Sequence, residues 1–333
     1  MTGIPAARVL HVANGSSTTR LIEAAAIAGT TSLWADPLHD GPVPADLSDA
    51  ALIDVRARYL AGVTGQSSAD IANEFGRWRT AIDDLTSYDE VILWFEHDLF
   101  DQLNLVHLLT TLRPRVGATP VVTLVCIDAF PGRPRFKGLG ELTPHELATL
   151  LDARQPVSDA QYALAEPAWQ ALRSPTPWPL DSLRTTDTSA LPFLAPAVAR
   201  LLQEYPWTSD GLSRTERRLL SLAADGPIDL LSAFPRMHDG ETAYYVTDLS
   251  LVTIAETLSR TTPPLLTVER ASEAGGRPLQ GALTLTESGR AVLAGRHDRM
   301  ATCGIDRWLG GVHLRDGSPI WRWDDRHQRI VAR

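Results

Sequence analysis

Val91-Ile92-Leu93-Trp94-Phe95-Glu96-His97-Asp98-Leu99-Phe100-Asp101-Gln102-Leu103-Asn104 decides the fold. Five apolar residues run straight into Glu-His-Asp, and apolar residues then return at helical spacing. A continuous apolar run of this length predicts a strand buried on both faces. Leu99, Leu103, Val106 and Leu109 predict a helix over 98–112, ending before Pro114. Strand, charged turn, helix is the repeating unit of a parallel α/β sheet, in which ligands bind beyond the strand C-termini.

The flanking sequence repeats the unit. Arg8–Ala13 reads as a strand, Asn14-Gly15-Ser16-Ser17-Thr18-Thr19 as a polar turn, and Leu21, Ile22, Ala25 and Ala26 as the start of a helix. The first amides of such a helix favour an anion, although an ordinary capped turn has the same sequence. No G-x-G-x-x-G and no Walker lysine is present. Thr31–Trp34 reads as a second strand, entering the loop Ala35–Pro44, where two prolines and a glycine forbid a helix. Helices follow from Ser48 to about Gly62 and from Ser67 to about Leu85, with Ser68 as the expected cap of the latter. Pro120–Ile127 is another continuous apolar strand, followed by a basic loop carrying Arg133, Arg135 and Lys137. Residues 1–140 are therefore expected to form an α/β domain with a Rossmann-like or flavodoxin-like parallel sheet of about four strands. Asn14–Thr18, Asp36–Asp40, Glu96–Asp98 and Asp128–Lys137 should converge at one edge.

Residues 141–210 read as a helical, proline-punctuated connector. Residues 211–333 begin with a capping-box start at Ser213-Arg214-Thr215-Glu216. Helices are expected over 213–224, 229–234 and 248–260, then a hairpin about Gly275-Gly276, then a helix over 286–295. This is a winged-helix-like α+β pattern. The Arg/Trp-rich tail predicts one more hairpin, about Asp316-Gly317.

The net charge is −9 over 333 residues, and only 211–333 escapes the acidic balance, at +1. The helix over 248–260 carries one base and two acids, so nucleic acid is not an expected partner. Cys126 and Cys303 offer neither a disulfide framework nor metal spacing. No apolar run reaches membrane-spanning length and no signal peptide is legible, so no membrane partner and a cytoplasmic location are expected.

Three stretches, His11-Val12-Ala13-Asn14-Gly15-Ser16, Asp40-Gly41-Pro42-Val43 and Trp94–Gln102, together resemble a bacterial domain-of-unknown-function family (family 1835) over about the first 130 residues. A companion region resembles the chain at Gly138-Leu139-Gly140, Leu191–Leu194 and Gly211–Glu216. The resemblance implies the architecture and brings no assigned activity. Members read Asn-Gly-Asp where this chain has Asn14-Gly15-Ser16, so any metal or base role of that acid is not carried over.

The chemistry rests on Glu96, His97 and Asp98. As a catalytic set they suit acid–base work, with His97 as partner to a carboxyl whose pKa burial moves up toward neutrality. With His39 and Asp40, Glu96 and His97 also suit a divalent metal; no cofactor is named by the sequence. A structural charge network is the third reading, with Asp98 as a helix N-cap. Asn14, Gly15, Ser16, Ser17, Asp36, His39, Asp40, Asp101, Gln102, Arg135 and Lys137 are the expected ligand-binding residues. The expectation is an enzyme, a hydrolase or transferase, acting on an anionic, phosphorylated or nucleotide-like small molecule. The alternative is a ligand-sensing regulator or adaptor, with the C-terminal region as the surface for a protein partner or homodimer.

Overall fold

The computed structural model describes residues 7–117, 119–269 and 279–332. The N-terminal part contains β1 (Val9–Ala13), α1 (Ser16–Ala24), β2 (Thr30–Leu33), β3 (Gly41–Pro42), α2 (Asp49–Thr64), α3 (Ser68–Asp83), β4 (Glu90–Glu96), α4 (Leu99–Leu112) and β5 (Val121–Ile127). The middle part contains α5 (Pro144–Thr149), β6 (Gln155–Pro156), α6 (Asp159–Arg173), α7 (Trp178–Leu183) and α8 (Leu194–Leu202). The last part contains α9 (Arg214–Leu222), β7 (Ile228–Asp229), α10 (Leu230–Met237), α11 (Asp248–Ser259), β8 (Leu266–Glu269), β9 (Ala282–Leu285), α12 (Glu287–Leu293) and α13 (Arg299–Cys303). The strands β10 (Asp306–Gly310), β11 (Val312–Arg315), β12 (Trp321–Asp324) and β13 (Arg329–Ala332) close the chain.

The main sheet has the order β2-β1-β4-β5-β6. β2, β1, β4 and β5 are parallel and β6 is antiparallel to β5. Four parallel strands are those the apolar runs predict, and the two-residue edge strand β6 is an addition. Successive connections run outward from β1 in opposite directions, to β2 on one side and β4 on the other. The strand order therefore reverses between β1 and β4, the place where open α/β sheets leave a crevice.

Val91–Phe95 is buried throughout, as its uninterrupted apolar sequence requires. The helix after it departs from expectation. Its apolar spacing predicts one buried face, yet α4 is buried nearly all round, polar Asp101, Gln102, Asn104 and His107 included. The reason is its position: α6 and α8 pack on α4 in addition to the sheet, so its polar groups must find partners inside the protein. Local cap chemistry sets the element ends. Asp98 accepts the Asp101 N–H and starts α4, Ser67 rather than Ser68 caps α3, and capping boxes start α5, α6 and α9.

The C-terminal part runs helix–strand–helix–helix–strand–strand (α9, β7, α10, α11, β8, β9), with β7-β9-β8 as its sheet. The expected turn at Gly275-Gly276 lies outside the described residues. The tail forms two hairpins rather than one, β10–β11 and β12–β13. The first turns at Gly310-Gly311, where a side chain would collide with Leu172 O and Arg173 O at the end of α6. Gly310 also has φ +60°, the left-handed region that favours glycine. Asp316-Gly317 merely links the two hairpins. The N- and C-terminal segments share a sheet, because β10 pairs in parallel with β3.

Candidate functional site

The turns that follow β1 and β4 meet where the strand order reverses. Asn14, just past β1, donates its side-chain amide to Asp101 Oδ2 at 2.9 Å. Thr18 on α1 donates to Asn14 Oδ1 at 3.0 Å and so fixes which way the amide faces. Asp101 Oδ1 accepts the Glu96 N–H at 2.8 Å, and the Asp101 N–H donates to Asp98 Oδ1 at 2.9 Å. Gln102 donates its side-chain amide to the Glu96 carbonyl at 2.6 Å. The Glu96 carboxylate accepts the Leu139 N–H from the far side of the basic loop. Gly138 is required there, since a side chain at that position would lie 2.2 Å from Glu96 Oε2.

Carboxylate oxygens of Glu96, Asp98 and Asp101 lie within 4.8 Å of one another, on residues 6%, 8% and 1% exposed. Burial, and next the Asp98 charge, pushes the Glu96 carboxyl up to about 8. Burial raises Asp98 against the pull of the Asp101 N–H. Asp101 is pushed well above the ordinary carboxyl range by burial and then by its two acidic neighbours. No guanidinium or ammonium pairs with any of the three among the described residues. Such a cluster persists at neutral pH by retaining protons or by binding a cation. An all-oxygen donor set of carboxylates suits a hard divalent cation such as Mg²⁺, Mn²⁺ or Ca²⁺.

His97 is buried beside this cluster. Its ring meets Phe193 and Tyr245 edge-on, each at 6.2 Å, and its Nδ1 has no hydrogen-bond partner. At the start of α1, Gly15 occupies the N-cap with no side-chain cap, and Ser16 and Ser17 are exposed. Arg20 lies over this end, donating to Ser16 O and Oγ at 3.0 and 3.1 Å. Arg135 is exposed and Lys137 partly buried. The basic loop thus meets the crevice through the Gly138-Leu139 backbone, and its other arginine, Arg133, pairs with Glu146 at 2.7 Å.

The loop after β2 goes elsewhere. Both oxygens of Asp36 are held by Arg56, at 2.7 to 3.1 Å, in a buried ion pair. Asn104 fixes the same loop through the Asp36 main chain, accepting its N–H at 3.1 Å and donating to its carbonyl at 2.8 Å. His39 and Asp40 line a second cleft, of about 590 Å³, with Tyr59 on α2, Phe100 on α4, Tyr244, α11 and β10. Burial pushes His39 down to about 4, and its Nδ1 lacks a partner. Asp40 accepts the Tyr59 hydroxyl at 2.7 Å. Four sequence stretches expected at one edge therefore serve two sites. Thr18, Asn104, Arg56, Tyr59 and Arg307 carry much of the geometry, and spacing alone does not single them out. Arg58 stands two residues beyond Arg56 on α2, so the sequence does not tell which arginine meets Asp36.

The C-terminal part reaches both sites. The connector between α10 and α11 lies across the β4–α4 junction, where the Leu99 N–H donates to Ala243 O at 2.7 Å. Tyr245 packs on His97 and Tyr244 on His39. Among the described residues no helix is long and apolar enough to cross a membrane.

No family model matches the chain, and no curated protein matches it. Among solved structures, it is similar to the DNA-binding, cleavage and re-ligation domain of Plasmodium falciparum topoisomerase II, at 10% identity and a TM-score of 0.45. That likeness covers 100% of this chain and 57% of the other. At this level it carries no argument about fold or activity.

Proposed function

We propose that this chain is a small-molecule enzyme acting at the crevice between β1 and β4. The observation that carries the reading is the cluster of Glu96, Asp98 and Asp101, three buried carboxylates with no Arg or Lys paired to them among the described residues, at the point where strand order reverses. In this reading Glu96 holds its proton at neutral pH and serves as a general acid. Asp98 and Asp101 share the remaining proton, or with Glu96 hold a divalent cation, which when bound would polarise an oxygen of the substrate. Asn14 orients Asp101. The uncapped start of α1, with Arg20 beside it, is the seat for an anionic group such as a phosphate or carboxylate. His97, in contact with Tyr245, is a positioning residue between the crevice and the C-terminal part. The α/β part is read as Rossmann-like in its use of the strand-reversal crevice.

The test is native mass spectrometry of the purified chain, with and without chelator, and a turnover screen over phosphorylated small molecules. Glu96→Gln and Asp98→Asn are expected to keep the wild-type circular dichroism and to lose turnover by at least a hundredfold. Full activity in both folded variants would overturn the reading.

A second reading, a ligand-responsive regulator, is favoured by one specific contact: the α10–α11 connector hydrogen-bonds to the first residue of α4. We read the order α9, β7, α10, α11, β8, β9 as winged-helix-like and the region as an output module. Its third helix, α11, lines the cleft and carries Asp248 and Glu256, so the expected output is a protein contact and not DNA reading. DNA binding in a filter assay at about 50 mM salt, where phosphate contacts are strong, would reverse that expectation.

A further inference from the structure

The cleft beside the crevice has chemistry of its own. Its volume of about 590 Å³ falls within the roughly 300–1,000 Å³ typical of small-molecule sites. Asp40, Tyr59, Glu204 and Arg307 line it together with the apolar Leu60 and Ile254. Thr253 and Thr257 add hydroxyls to the lining.

The charges around it do not cancel locally. Arg214, Glu241, Arg200, Glu204 and Arg307 form a chain of ion pairs at 3.1, 3.0, 2.6 and 3.4 Å. Three guanidinium groups against two carboxylates leave one positive charge, and Arg307 is the arginine of that chain which lines the cleft. Arg299 and Glu216 pair with each other at 3.3 Å. Asp306 meets His313 at 2.6 Å near the rim. Asp306 is largely exposed to solvent, and Asp40 is the other carboxylate of the lining outside these Arg–carboxylate pairs. It accepts a neutral phenol hydroxyl, and Arg56 reaches only its main-chain oxygen, at 2.7 Å. Among the described residues no ion pair forms at its carboxylate. The cleft therefore presents Asp40 on the loop before β3 and Arg307 on β10, opposite charges that act on each other across it without a direct ion pair between them among the described residues. The rings of Tyr59 and Tyr244 line the cleft with Asp40, each with one face toward a guanidinium, Arg56 at 5.4 Å and Arg200 at 5.0 Å.

We propose that the cleft binds a small zwitterion with an apolar body, the chemistry of a free amino acid with an aliphatic or aromatic side chain. Its ammonium sits at Asp40 against the tyrosine rings, which favour a cation. Its carboxylate takes the free N–H groups of Arg307. Its side chain covers Leu60 and Ile254. A simple amine answers Asp40 and leaves Arg307 facing a desolvated apolar group; a simple acid does the reverse. Either mismatch carries the penalty of a buried unpaired charge.

Isothermal titration of the full chain tests this with L-leucine, L-isoleucine, L-methionine and L-phenylalanine, each beside its decarboxylated amine and its deaminated acid. At least one amino acid is expected to bind at least tenfold more tightly than both of its truncated forms. Asp40→Asn is expected to weaken it at least tenfold. Thr253→Trp, which fills the cleft from α11 without removing either charge, is expected to abolish it. Circular dichroism checks that both variants fold, and Tyr59→Phe, expected to weaken binding severalfold, replaces Asp40→Asn if that variant does not. The proposal is overturned if none of the four amino acids binds, if an amine or acid binds as tightly as its amino acid, or if the folded Asp40 or Tyr59 variant binds unchanged.

Discussion

At the β4–α4 junction, Glu96, Asp98 and Asp101 stand together with backbone N–H groups and the Asn14 amide as their hydrogen-bond donors. In the neighbouring loop, Asp36 is met by both arms of the Arg56 guanidinium and Asp40 by a tyrosine hydroxyl. Both regions bury acids at one sheet edge, and the difference lies in what answers the charge. Where a guanidinium is supplied, the acid fixes structure. Where only N–H dipoles are supplied, the acids hold protons or a cation, and that is the condition in which a carboxyl group does chemistry near neutral pH.

The comparison is broken most severely at Arg56. Arg56→Leu leaves Asp36 buried without its partner and frees the loop that walls the cleft. It is expected to destabilise the fold by about 3–5 kcal/mol, read from urea denaturation. A loss below about 1 kcal/mol would mean that this pair does not hold the loop.

The carboxylate cluster should announce itself in the pH dependence of stability. Glu96 has a folded pKa of about 8 against an ordinary 4.5, so the folded state takes up its proton more strongly than the unfolded chain. Its contribution is present at low pH and is lost as pH rises through about 8. Buried His39, depressed from 6.5 to about 4, opposes this across its own window, and Glu204, held near 2, loses its contribution only in strong acid. A fall of about 2 kcal/mol is therefore expected between about pH 6.5 and 8. Glu96→Gln should flatten it. Parallel wild-type and variant curves across that range would contradict the assignment.

A smaller effect sharpens the same contrast. Gly138→Ala pushes a methyl group into the Glu96 carboxylate and is expected to cost about 1–3 kcal/mol. The cost should largely vanish in an Glu96→Ala background, as a double-mutant cycle would show. On the cleft side, Tyr59→Phe removes one hydrogen bond to Asp40 and should cost about 1 kcal/mol, with no change in the slope of stability against pH.

Much of the sheet is legible in the sequence, because Val91–Phe95 is apolar without interruption and Val121–Ile127 is broken only by Thr123, a pattern that fits a strand covered on both faces. Asp98 is legible as a cap from its place before Leu99. The surroundings of α4 are not. Leu99, Leu103, Val106 and Leu109 mark one face, and nothing in their spacing tells that α6 and α8 cover the other. The division of the site is hidden for a similar reason. Asp36 and Asp40 look alike in a proline-bounded loop, and only the packing of α2 brings Arg56 to one and Tyr59 to the other. The tail shows the limit of turn chemistry: Asp316-Gly317 is a good hairpin signal, but Gly310-Gly311 makes the hairpin because Leu172 O and Arg173 O leave no room for a side chain.

The central claim is that Glu96 keeps its proton near neutral pH in the folded chain. Carbon-13 NMR of protein labelled at glutamate carboxyls, titrated with chelator present and assigned with Glu96→Gln, tests it directly. One carboxyl signal should remain in the protonated position at pH 6, move only toward pH 8, and be missing from the variant. Glutamate signals that have all titrated by about pH 5.5, a unit above the ordinary range, would contradict the account.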